Sequence, residues 1–436
     1  MTRKSRDTPG TPRTGPRSPG PPARRRLMLT LAGVSAVSPM ATDMYVPGLP
    51  QMARSLHTDT AGAQISLTVF LVGIIVGQLL WGPVSDSLGR RPVLIGGSAA
   101  FAGFSLLCGL APNLEILNAA RLGQGLTGAA GIVVARAVVA DLFDDDRIGR
   151  AFAALSAVTS IAPIAAPLLG GGVLSVGSWR WLFGLLAFFG LVLTLCLALW
   201  VPESLPLSAR VPGGMGGTVR SMRRVCARRS VIAPVLSLGF GGAAIFVYIG
   251  STSFVFQDLY HLSAGLTSLV YGANALGNMA ASIFYGRLVR RHSPEELLRV
   301  SMVLTLAPAA LLVVAETAGR GGLALTWICL FVSIAAFGVF FPAVTTVAQI
   351  RGRDAPGATS ALLGSVQFTF GAIASPLVGL FGDRSALPMA GLMAAFLTPA
   401  TVAAFAVSRQ HVSHGAAQLP DADRPGPRDR TSGRPH

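Results

Sequence analysis

Apolar residues along this chain come in long unbroken runs, not in strict alternation and not as narrow helical stripes. Twelve stretches of about twenty or more mainly apolar residues follow one another, at 27–51, 62–82, 93–111, 114–140, 150–176, 181–201, 231–256, 265–289, 297–316, 321–349, 357–380 and 387–408. A helix needs about 20 such residues to cross the hydrocarbon core of a bilayer. A transmembrane barrel would instead show alternating segments of about ten residues. The pattern therefore predicts an all-α polytopic membrane protein with twelve transmembrane helices. The longest internal break, 202–230, is rich in Gly, Pro and Arg and reads as a linker between two bundles of six, 27–201 and 231–408. Residues 1–26 hold six prolines and eight basic residues, and 409–436 are polar and Pro-rich. Such segments cannot bury a core and are expected to be disordered. The apolar run after Arg26 is too long for a secretory signal, and no small-residue cleavage site follows it.

Composition sharpens this picture. Of 436 residues, 51% are hydrophobic and only 12% charged, against about 25% charged in soluble domains. The 51 glycines suit helices that approach one another closely in lipid. The net charge of +16 would suit nucleic acid only if it formed a patch. It does not: the basic residues, all arginine except Lys4, sit in loops and tails. Counting them in alternate segments gives 29 on the side of the termini and 4 on the other, with Arg121 and Arg136 left inside span four. The positive-inside rule then puts both termini in the cytoplasm, and the cell membrane, inner or plasma, is the expected location. The four cysteines, Cys108, Cys196, Cys226 and Cys329, have neither zinc nor disulfide spacing, and no metal site is expected. All six histidines fall in loops or tails, and no HExxH or P-loop occurs, so neither an enzyme nor an ATP-driven pump is expected.

Chemistry inside the membrane is sparse. Asp43 is the one acid deep within a span; Glu115, Asp141 and Glu316 sit at span ends. A charge at the bilayer centre costs about 2.5–3.5 kcal/mol on insertion scales, so a carboxyl there is a candidate proton carrier. The competing reading is a polar residue that caps a helix break before Pro47. Arg121 is the matching deep base. Asp43 lies roughly 24 Å along span one and Arg121 roughly 10 Å down span four, at 1.5 Å per residue. Both fall in the outer half, where they can pair if the spans are neighbours, unless Arg121 is only an interhelical tie. Gln124, three residues on, shares the face of Arg121. In the loop after span two, Gly82 and Gly89 permit turns, Asp86 can face the N-terminus of span eleven, and Arg90 can reach Asp141, with Arg91 beside it. The alternative is plain positive-inside topology. Pro163, Pro167, Gly170 and Gly171 make span five a candidate bend and seal, or else a generic kink. Tyr45, Gln124, Tyr248, Phe254, Asn274, Asn278, Gln367 and Phe368 are candidate substrate contacts, each also explicable as packing.

Several of these residues carry a family resemblance. Gly77-Gln-Leu-Leu-Trp-Gly82-Pro-Val-Ser-Asp86-Ser-Leu-Gly89-Arg90-Arg91-Pro92 resembles the loop 2–3 signature of the major facilitator superfamily. Arg121-Leu-Gly-Gln124-Gly125 resembles its drug-transporter motif, and Ala162-Pro163-Ile-Ala-Ala-Pro167-Leu-Leu-Gly170-Gly171 its antiporter motif. Asp43-Met-Tyr45-Val-Pro47-Gly-Leu-Pro50, Trp179-Arg180-Trp181-Leu-Phe183 and Ala358-Thr-Ser-Ala361-Leu-Leu-Gly364-Ser-Val-Gln367 resemble the Bcr/CflA drug-resistance subfamily. The second-half loop, around Arg287 and Arg290-Arg291, lacks an acid at the position of Asp86. The resemblance implies the major facilitator fold, a latch role for the loop 2–3 residues, and proton-driven export of small antibiotics by a monomer. No cofactor beyond the coupling ion H+ is implied. Phenicols such as chloramphenicol are the leading expected substrates; export of an endogenous metabolite and proton-coupled uptake are the alternatives.

Overall fold

A computed structural model of the chain describes residues 21–143, 145–210, 228–353, 356–380 and 385–416. Most of the two expected disordered tails, and 211–227 of the expected linker, lie outside the described residues. Twelve long helices follow the twelve apolar runs: α1 Pro21–Asp43, α2 Thr60–Leu88, α3 Arg90–Leu110, α4 Leu114–Leu142, α5 Asp145–Val176 and α6 Trp179–Trp200 in the first half. The second half has α7 Arg229–Phe254, α8 Ala264–Leu288, α9 Pro294–Thr317, α10 Leu323–Arg351, α11 Pro356–Ala374 and α12 Leu387–Ala416. There is no strand among the described residues. Ten of the twelve, some with short continuations, are long and apolar enough to cross a membrane. In α5 the described residues give an apolar stretch at Ile161–Val176, and α8 is the less apolar of the remaining helices. The helices α5 and α8 pack on each other.

Local chemistry sets the helix starts. Asp59, Asn113 and Ser263 each accept a hydrogen bond from the backbone N–H three residues on, at 2.7, 3.0 and 3.2 Å. Each satisfies a donor that the first turn of a helix leaves free. The first span is not the continuous run expected. Regular helix stops at Asp43, a 3-10 turn follows at Val46–Gly48, and a short helix, Leu49–Ser55, ends the segment. Pro47 and Pro50, which have no N–H to give, account for the break. At the corresponding end of span seven, a π-helical turn covers Val255–Leu259.

The packing repeats. In the first half α2 packs on α4, α4 on α3, α3 on α6, and α1 on α4, α5 and α6. The same pairings recur six helices later: α8 on α10, α10 on α9, α9 on α12, and α7 on α10, α11 and α12. The heaviest contacts between the halves are α5 with α8 and α2 with α11, and these exchange under the same shift. The face remote from the termini is closed. Arg54 pairs with Asp258 at 3.1 Å, and the Gln257 amide donates to the Pro47 carbonyl at 2.9 Å. The Gln64 amide donates to the Gly250 carbonyl at 3.2 Å and accepts from the Gly379 N–H at 3.1 Å.

Candidate functional site

Toward the face that carries the termini, the halves part around a cavity of about 870 Å³. Its first-half wall comes from Ser35 and Pro39 of α1, Gln78 and Leu79 of α2, Arg136 and its neighbours on α4, and Phe152 and Leu155 of α5. The second-half wall is α11, with Ser360, Gly364, Ser365, Gln367 and Phe368. Binding sites for small molecules commonly take this form, a largely apolar cleft of about 300–1,000 Å³ with a few placed polar groups. Of the expected substrate contacts, Gln367 and Phe368 line it.

The other expected contacts are elsewhere. The Tyr45 hydroxyl shares a hydrogen bond with Ser66 at 2.9 Å, and its side chain is fully buried in the first half. The Gln124 amide is held between Arg121 (2.7 Å) and Ser105 (2.8 Å), so it serves the interior of that half and not the cavity. Asn278 donates to the Ile334 carbonyl at 2.9 Å, tying α8 to α10. Phe254 borders small clefts beside the closed face. Tyr248 and Asn274 are buried together, with the Asn274 amide donating to the Tyr248 hydroxyl at 3.0 Å. Tyr271 stacks on Tyr248 with ring centroids 5.4 Å apart. Sequence reasoning passed over Tyr271, although it lies three residues before Asn274 on the same helix face.

Asp43 faces this second-half cluster. The residue is 7% exposed and lies close enough to Tyr248 and Tyr271 to interact with them electrostatically. It makes no hydrogen bond or ion pair among the described residues. The expected pairing with Arg121 does not form, although α1 and α4 are neighbours. Arg121 reaches Ala41 instead, donating to its carbonyl at 3.2 Å. Residues two apart on a helix point about 200° from each other, so the turn that presents Ala41 to α4 aims Asp43 the other way. Arg121 is completely buried, donates also to Gln124 and to the Ser66 carbonyl, and lies 4.1 Å from the Phe70 ring and 4.8 Å from the Tyr45 ring. It ties helices together.

The loop between α2 and α3 is tightly knit. Arg90 pairs with Asp86 at 2.5 Å and Asp141 at 3.2 Å, and Arg91 donates to the Ala198 carbonyl at 2.7 Å. Asp86 thus pairs within its own loop; the expected placement against the start of α11 has no hydrogen bond among the described residues. Glu203, which sequence reasoning overlooked, accepts from the backbone N–H of Arg90 at 2.9 Å. Ser204 donates to Asp141 at 2.9 Å. The only signal for Glu203 was a lone acid in the polar break that follows span six. Gly89 has φ +105° and ψ 156°, a conformation essentially restricted to glycine. Gly82 makes no turn: it lies inside α2, six residues before the helix ends, where a Cβ would stand 4.0 Å from Val133. On α5, a Cβ at Gly170 would run into the Met44 carbonyl and one at Gly171 into the Ser268 hydroxyl. These two glycines therefore let α5 touch the end of α1 on one side and α8 on the other, while Pro163 and Pro167 sit within the helix.

Comparison with known proteins agrees with this architecture. The Major Facilitator Superfamily profile matches residues 31–376. The MFS-type transporter YdgK of Bacillus subtilis (strain 168) is 35% identical over 400 residues, covering 91% of this chain and 99% of its own length. The bicyclomycin resistance protein homolog of Haemophilus influenzae is 26% identical, covering 89% and 98%. The multidrug resistance protein MdtL of Escherichia fergusonii is 27% identical, covering 78% and 85%. Among solved structures, a bacterial homolog of the human lysosomal transporter Spinster, inward-facing and unoccupied, gives a TM-score of 0.72 at 15% identity over 91% and 99% of the two chains. The partially occluded, inward-open xylose transporter XylE of E. coli gives 0.70 at 12% identity over 88% and 97%. With most of its length matched by the family profile and nearly all of it by a relative, the chain is a multi-pass membrane transporter and belongs to the major facilitator superfamily.

Proposed function

We propose that the chain is a drug:proton antiporter that exports small antibiotics from the cytoplasm across the cell membrane, working as a monomer with both termini inside. The observation that carries this reading is the position of Asp43. An acid buried near the boundary of two packed halves, one turn along α1 from Pro39 of the cavity wall, changes compartments when the halves rock. If it gains a proton on one side and gives it up on the other, it couples proton entry to cargo exit. The names of relatives support the cargo class: one is a bicyclomycin resistance homolog and another a multidrug resistance protein. Phenicols are the substrate class we put first. The energetics suffice. A proton moving down 100 mV releases about 2.3 kcal/mol, and one pH unit adds about 1.4 kcal/mol. Together they sustain a gradient of a few hundred-fold for a neutral drug.

The test has two parts. Expression in a pump-deficient host, against a panel that includes chloramphenicol and bicyclomycin, should raise resistance to at least one drug. In proteoliposomes, Asp43→Asn should still bind that drug but lose transport driven by a pH gradient. If Asp43→Asn pumps against a gradient as the wild type does, Asp43 is not the carrier.

A further inference from the structure

The cavity wall carries one formal charge among its described residues. Arg136, on α4, lines the space, and its side chain is accessible from it. Among the described residues it makes no hydrogen bond and no ion pair. The polar residues that share the wall, including Gln78, Ser360 and Gln367, are neutral. Arg121, farther up the same helix, is the contrast. Its guanidinium is taken up by carbonyls, an amide and aromatic rings. A charged group held in a membrane-spanning segment is costly, and such residues mark a ligand or ion pathway when they face a cavity. A guanidinium offers donors in a fixed fork that matches a carboxylate or phosphate edge. Around it, Leu79, Phe152 and Phe368 supply apolar and aromatic surface for the body of a ligand.

We propose that Arg136 is an anion-recognition group of the cavity, and that the cargo of this transporter includes small organic acids with an aromatic or apolar body. This rests on the cavity being the cargo site. The membrane potential favours such cargo, because an anion leaving a negative interior moves down the electrical gradient while the proton enters down it. The same chemistry is found on the headgroup of an anionic lipid, so the test separates the two sources.

The full-length protein in detergent is titrated with benzoate, salicylate and naphthoate and with their neutral amides, and binding is read by thermal shift. At least one acid should bind the wild type about tenfold more tightly than its amide. Arg136→Gln should bring the pair to near-equal binding, and Arg136→Lys should keep part of the preference. In nanodiscs of phosphatidylcholine the preference should persist and resist added phosphatidylglycerol. The proposal fails if no acid outdoes its amide in the wild type, or if Arg136→Gln keeps the preference. It also fails if phosphatidylglycerol, and none of the acids, stabilises the protein through Arg136. The outcome is independent of efflux: a host protected from neutral drugs by a protein without the preference refutes this inference alone. A charge-selective protein that protects from nothing refutes the export reading alone.

Discussion

Arg121 and Asp43 look alike on paper, two deep ionisable residues near one depth, and the folded chain uses them differently. The guanidinium of Arg121 sits among carbonyls and rings within the first half, whereas Asp43 is turned toward Tyr248 and Tyr271 of the second. Removing Arg121 therefore acts first on stability. Arg121→Ala strips the Gln124 carbonyl oxygen of its short partner, and a buried polar group left unsatisfied costs about 1–3 kcal/mol. The melting temperature in detergent should fall by several degrees. Arg121→Lys should fall between, since a single ammonium serves neither the fork nor the rings. An unchanged melting temperature with loss of proton-driven transport would instead put Arg121 in the coupling path. The separation of the two residues was partly legible, because Ala41 and Asp43 are out of phase on a helix. What the chain alone does not reveal is which of the two phases meets α4, since that depends on how α1 rotates against three neighbours.

At the scale of elements, the positions of the twelve helices follow from apolar run length, because a bilayer sets a minimum length of about 20 apolar residues for a span. Their interruptions were harder to place. The break after Asp43 traces to Pro47 and Pro50, which the sequence displays, yet a run of apolar residues through 51 masks it. The α2–α3 loop is a tighter assembly than its motif suggests. Glu203 holds the start of α3 by its N–H groups while Arg90 bridges Asp86 and Asp141. All of this lies on the face of the termini, away from Asp43. Asp86→Asn or Arg90→Ala should thus slow the alternation between states and leave drug affinity within a few-fold, as read by transport rate and equilibrium binding on the same preparation. Abolished binding in a folded variant would show that the loop shapes the cavity and does not govern its opening.

The whole molecule is a repeated unit, in which every major packing contact of the first six helices has its counterpart in the last six. The sequence hinted at this through halves of similar length and two arginine-bearing loops, but pairings between helices depend on which faces meet, and apolar runs that are hydrophobic all round carry little of that information. Orientation is a separate matter, on which charge and not packing makes the prediction. The asymmetry of 29 basic residues to 4 predicts that a reporter fused after Arg220 reads cytoplasmic and one fused after His261 reads external. The reverse pattern would invert the direction of transport argued above.

The single-helix wall of the cavity has a consequence for descent. On the proposed export reading, exchanges at 360, 364, 365, 367 or 368 on α11 remodel the surface that a ligand meets. They leave Asp43, the Arg121 tie and the glycine contacts of α5 as they are. Selection by a new antibiotic thus has a short mutational route through α11, whereas Gly170 and Gly171 admit no side chain without a collision. Lineages that share this fold should accordingly diverge in cargo along α11 while holding α5 nearly constant, and a resistance spectrum can shift within a few substitutions without any new architecture.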